Sequence, residues 1–154
     1  MVIFYTMNKL IAGRGIIEVI AALLILLFLY TGLSKLHARE NFFGVLSFSP
    51  LIKSNAYLLS WVIPIVEILI GALLFFPVTR KMGFISSFIL MIFFTACIAY
   101  MLLFSSNLPC ACGGVLRKMS WPQHLVFNIF FTGLSAWGLW LCYKQNFFIA
   151  IKQE

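Results

Sequence analysis

"YLLSWVIPIVEILIGALLFFPV", residues 57–78, decides the fold. The stretch holds a single charged residue, Glu67, and is otherwise apolar, aromatic or small. At 1.5 Å per residue a helix of this length reaches across the ~30 Å hydrocarbon core of a bilayer. In lipid no water is present to satisfy backbone N–H and C=O groups, so a spanning run of this kind is a helix. Three further runs have the same character: "GIIEVIAALLILLFLYTGL" (roughly 15–33), "MGFISSFILMIFFTACIAYMLLF" (roughly 82–104) and "PQHLVFNIFFTGLSAWGLWLCY" (roughly 122–143). The expectation is an all-α chain, a transmembrane four-helix bundle, with residues 1–154 forming a single four-span membrane domain.

Composition points the same way. The chain has 154 residues, of which 63% are hydrophobic and 10% charged, with a mean hydropathy of +1.06. A soluble domain carries about 25% charged residues. There is no Asp, and the acids are Glu18, Glu40, Glu67 and Glu154. The net charge of +7 is not a nucleic-acid footprint, because Lys and Arg stand in ones and twos between apolar runs rather than in a stripe. Such residues flank membrane spans. The first run is too long for the 7–15-residue core of a signal peptide and contains Glu18, so it reads as a retained span. Arg14 and Glu18 stand four residues apart, the spacing of a helical ion pair.

Between spans 1 and 2 lies "SKLHARENFFGVLSFSPLIKSNA" (34–56). Phe42, Phe43, Leu46 and Phe48 make it amphipathic, so a short interfacial helix is expected there, ending before Pro50. One side of the membrane carries Lys9, Arg14, Arg80, Lys81, Lys144 and Lys152; the other carries Lys35, Arg39, Lys53, Arg117 and Lys118. The slight excess places both termini in the cytoplasm of a cell whose inner membrane the chain crosses.

A carboxylate at the depth of Glu67 needs a partner. Lys35, closing the first span on the side from which the second enters, has a stem long enough to reach inward. The alternative is a neutral Glu67 bonded to Tyr30, Tyr100 or Asn128. Such pairing alone accounts for the residue without a proton or ligand role. Pro64 is read as a kink. In "SWPQH" (120–124), Ser120 and Gln123 have capping-box spacing and Pro122 suits a first turn, so the fourth helix starts there. His124 and Asn128 share one face of it; the plainest reading of His124 is an interfacial side chain bonded to a loop carbonyl.

The remaining chemistry lies in "NLPCACGGVLRKMSWPQH" (107–124). Cys97 and Cys142 sit within spans, too far from this loop to join it, and read as small apolar residues. Cys110 and Cys112 are separated by one residue. A disulfide across that spacing is strained and therefore oxidising, and it closes too little chain to act as a staple. Gly113 and Gly114 allow the turn, while Arg117, Lys118 and the following helix start favour thiolate. Two other readings stay open at this point: soft-metal binding by Cys110, Cys112, Met119 and His124, and a non-catalytic scaffold, since a lone C-x-C is a weak motif.

"YTGLSKL" (30–36), "LSFSPLI" (46–52), "IPIVEILIGALL" (63–74) and "CACGG" (110–114) followed by "SW" (120–121) together resemble the DoxX-like superfamily, within it the MauE branch. The resemblance covers nearly the whole chain. Ala111 and Gly113 replace the Gly and Phe that many relatives carry, and Phe127 stands where many have Arg. The resemblance implies a redox-associated membrane protein. It would serve the maturation of a disulfide-rich subunit of methylamine dehydrogenase, beside a thioredoxin-like partner or another extracytoplasmic thiol protein. It further implies Cys110 and Cys112 as the redox pair of a thiol–disulfide oxidoreductase system, with Lys35 and Glu67 at the family's polar positions. No cofactor and no resident metal are expected.

Overall fold

The computed structural model describes residues 2–48, 53–104 and 120–151. Five α-helices account for nearly all of them: α1 (Val2–His37), α2 (Arg39–Phe48), α3 (Ala56–Phe75), α4 (Arg80–Phe104) and α5 (Trp121–Ile151). A short 3₁₀ turn, Lys53–Asn55, precedes α3. Among the described residues there is no strand. Four helices are long and apolar enough to cross a membrane, over Gly13–His37, Lys53–Phe75, Arg80–Leu103 and Pro122–Lys144. The fifth, α2, is the short helix expected between spans 1 and 2.

Two boundaries differ from the sequence reading. The first span closes at His37 rather than Leu33, because Ser34, Lys35 and Leu36 continue the helix although they are no longer uniformly apolar. Helix α1 has 36 residues, about 54 Å at 1.5 Å per residue, far more than the hydrocarbon requires. Helix α5 likewise continues to Ile151. The Arg14–Glu18 pair does not close: both side chains are exposed, and the ion pair among the described residues is a different one. Helical spacing permits such a surface pair, but solvent and side-chain entropy leave it little net gain.

The bundle is a closed ring in which α1 packs on α3 and α5, and α4 packs on α3 and α5. Lipid offers no hydrophobic drive between helices, so close backbone approach at small residues carries the packing. Gly71 meets Leu29, and Gly32 meets Pro64, Glu67 and Ile68, which sets α1 and α3 antiparallel. At the α3–α4 hairpin, Gly83 lies on Leu74. Gly138 of α5 lies on the ring of Phe84 of α4; a Cβ there would stand 2.4 Å from Phe84 Cε1. Leu24, Phe28, Leu74 and Phe84 form the buried centre. Several serines and threonines return their hydroxyls to their own helices, as Ser60 does to the Tyr57 carbonyl and Ser87 to the Gly83 carbonyl, each at 2.7 Å, which satisfies those hydroxyls within the bundle.

Candidate functional site

The site begins with Gly32. A side chain here would stand 3.1 Å from the Pro64 carbonyl oxygen and 3.4 Å from Glu67 Cβ. The absence of one lets α1 and α3 touch, and one turn further along α1 Lys35 arrives directly beside Glu67. Lys35 Nζ donates to Glu67 Oε1 as a buried ion pair. The expectation that the Lys35 stem reaches inward to Glu67 holds: Gly32, one turn earlier on α1, is the residue level with Glu67, and the Lys35 side chain runs back along α3 to meet the carboxylate.

Three helices surround the ammonium besides its own. Glu67 comes from α3, the Phe42 ring from α2 at 5.5 Å, and the Phe94 ring from α4 at 4.6 Å. A cation held over two ring faces and one carboxylate is desolvated without being unpaired. The Glu67 side chain is 1% exposed and that of Lys35 16%. The Glu67 Oε2 atom has no hydrogen-bond partner among the described residues. Thr31 stands close enough to bear on the same carboxylate, but its hydroxyl hydrogen goes to the Leu27 carbonyl at 2.9 Å.

Helix α2 is clamped over this pair. Leu46 packs with Ala56 and Ile63, and Phe42, Leu59 and Phe94 pack against that cluster. Arg39 lies over the Trp61 ring at 4.7 Å, and Phe43 meets Tyr57 edge-on. The side chain of Phe48 lies outside the described residues.

The start of α5 contributes the remaining polar groups. The Ser120 N–H donates to Gln123 Oε1 at 2.9 Å, the capping contact expected from the spacing. His124 is half-buried and within electrostatic range of Lys35. Asn128, 4% exposed, donates its amide to the His124 carbonyl at 2.9 Å. The Asn128 carbonyl in turn accepts from Thr132, whose hydroxyl is 3.3 Å from that of Thr95 on α4. Asn128 thus joins α5 to itself and is not bonded to Glu67.

Lys35, Glu67, His124 and Asn128 therefore lie toward one end of the bundle, where α1 and α4 finish and α3 and α5 begin. Cys110 and Cys112, with Met119, fall in residues 105–119, which link α4 to α5 and lie outside the described residues. Cys97 and Cys142 carry free thiols, each half-buried in its span. Among the described residues no group of three metal-ligating side chains gathers.

Residues 13–141, most of the chain, match the family described as methylamine utilisation protein MauE. The chain belongs to the MauE family. Comparison with curated proteins and with solved structures returns no match. Family membership and four apolar spans agree on a multi-pass membrane protein. Thr31, Gly32 and Phe94 complete the surroundings of Lys35 and Glu67, and the sequence reading gives none of them a role. Gly32 and Thr31 fall inside the quoted "YTGLSKL", where their spacing to Lys35 is a usable signal. Phe94 is one of 17 phenylalanines, and nothing in its local sequence distinguishes it.

Proposed function

We propose that this MauE-family chain is a membrane component of extracytoplasmic thiol–disulfide exchange, acting through Cys110 and Cys112 in the maturation of a partner protein in methylamine utilisation. The observation that carries the reading is the buried Lys35–Glu67 pair, roofed by α2 and flanked by His124 and Asn128. It gathers the polar groups of the bundle at the end joined by the cysteine-bearing segment. A desolvated ion pair is costly in lipid, and a rigid platform under a reactive loop is a role that fits the cost. A thiolate of the pair attacks a partner disulfide and forms a mixed disulfide; the second cysteine of the pair displaces the partner, which leaves as a dithiol while the Cys110–Cys112 bond closes, and the same two steps in reverse hand a disulfide to a dithiol partner. The two electrons and two protons pass between the two dithiol–disulfide couples, and a thioredoxin-like protein of the opposite redox state resets the pair. With one cysteine replaced, the second displacement has no attacking thiol and the mixed disulfide persists.

In this proposal both termini are cytoplasmic and the cysteine segment faces the oxidising side, where such a bond persists. Support comes from the charges: Lys35 is engaged by Glu67, which leaves fewer unpaired basic residues on the cysteine side. Placement in the wider DoxX-like superfamily and a thioredoxin-like partner belong to the same proposal. The test is covalent trapping. Cys110→Ala and Cys112→Ala are expressed in cells, thiols are blocked with acid and alkylating agent, and complexes are resolved without reductant. One of the two variants is expected to hold a partner as a mixed disulfide, released by reductant. A scaffold role gives no trapped species and normal function in both. A soft-metal role gives copper or zinc in the purified protein, lost in both.

A further inference from the structure

We propose that the opposite end of the bundle, where the α3–α4 turn meets the last membrane turn of α5, is a binding site for the headgroup of an anionic phospholipid. Arg80 and Lys81 begin α4, and Lys144 ends the fourth span on α5. The three converge. Lys81 Nζ lies over the Tyr143 ring at 4.2 Å, Lys144 Nζ over the Trp140 ring at 4.8 Å. Arg80 and Lys81 both lie within electrostatic range of the Cys142 thiol, on the same turn. Among the described residues none of the three makes an ion pair with a carboxylate. Ammonium groups resting on ring faces keep N–H donors free for an anion.

Side chains blunt the negative end of α3, which would repel a phosphate: Thr79 Oγ1 donates to the Leu73 carbonyl at 2.8 Å, and Arg80 Nε to the Leu74 carbonyl at 3.3 Å. The Arg80 contact uses one guanidinium N–H and leaves its terminal amino groups available. Around the cations, Trp140, Tyr143, Phe76 and Met82 are each at least half exposed, and Val78 is 95% exposed. This is an aromatic and apolar rim at headgroup depth, where rings of this kind sit in a membrane. Charge, depth and rim together fit a phospholipid phosphate with its acyl chains lying along the α4–α5 face. A soluble anion would have no use for the rim.

The test uses the purified full chain in neutral-detergent micelles, titrated with phosphatidylglycerol or phosphatidylcholine while the thermal unfolding midpoint is followed. A saturable rise with phosphatidylglycerol and none with phosphatidylcholine is expected. Each basic residue near an anionic surface is worth roughly fivefold in affinity, so Arg80→Gln/Lys81→Gln/Lys144→Gln should raise the half-saturating concentration roughly 100-fold. Lys144→Gln alone, at an exposed position, should raise it roughly fivefold and guards against misfolding of the triple variant. Lys53→Gln, at the other end, should leave it unchanged. Equal response to the two lipids, an unchanged titration in both Gln variants, or reproduction of the shift by inorganic phosphate would each overturn the proposal.

Discussion

Replacing Lys35 by Met keeps the stem that packs on Phe42 and Phe94 and removes only the charge. Glu67, 1% exposed, is then a carboxylate with neither oxygen paired. Unit charges at contact distance attract by about 4 kcal/mol at the effective dielectric that suits protein sites. Breaking a buried pair from one side costs ~3–5 kcal/mol. Lys35→Met should therefore lose about 4 kcal/mol of stability. Glu67→Gln should lose less, about 1–2 kcal/mol. Its amide oxygen still accepts from Lys35, and Lys35 keeps both rings and the partial solvent access that its 16% exposure gives. Lys35→Met/Glu67→Met removes both charges at similar volume and should be more stable than Lys35→Met alone by about 2 kcal/mol or more, since a buried pair is replaced by apolar groups at little net loss. Reversible unfolding in mixed micelles, followed by far-ultraviolet circular dichroism, measures the wild type, these three variants and Glu67→Met alone. Additivity of Lys35→Met and Glu67→Met within about 0.5 kcal/mol, the behaviour of independent sites, would refute the coupling. So would a larger loss for Glu67→Gln than for Lys35→Met.

Gly138→Ala drives a methyl group to 2.4 Å from the Phe84 ring, which is fully buried; a loss of about 1–3 kcal/mol is expected in the same assay. Gly133→Ala, with nothing within 4 Å of the new Cβ, should be neutral or stabilising by up to about 1 kcal/mol through helix propensity. Thr132→Val removes the contact to Thr95 and the return bond to Asn128; its cost should be about 0.6 kcal/mol, the average for a hydrogen bond between membrane helices.

The four spans were legible because lipid leaves the sequence few choices: twenty apolar residues with unsatisfiable backbone can only be helical. Their ends were less so. Hydropathy reads where the hydrocarbon stops, not where the helix stops, so Ser34–His37 and the residues beyond Tyr143 stayed helical past the expected limits. The partnership of Glu67 with Lys35 was legible from cost alone, since a carboxylate at that depth demands a cation or a donor. Its geometry was not. That Gly32 lets α1 dock level with Pro64, and that Phe94 closes over the ammonium from α4, are products of helix register, which no local pattern encodes. Arg14 and Glu18 illustrate the converse: correct spacing, but both exposed, and no pair. The Ser120–Gln123 cap was readable because its two groups are three residues apart and need no tertiary context.

Cys110 and Cys112 are proposed to cycle as a dithiol–disulfide pair. The direct measurement is their redox state in intact cells, by acid quenching, labelling of free thiols with a high-mass maleimide, and gel shift of the protein with Cys97 and Cys142 replaced by alanine. A fraction that resists labelling until reductant is added is expected, with full labelling when cells are grown with a membrane-permeant reductant. Two labelled thiols per chain under every growth condition, with no resistant fraction, would contradict it.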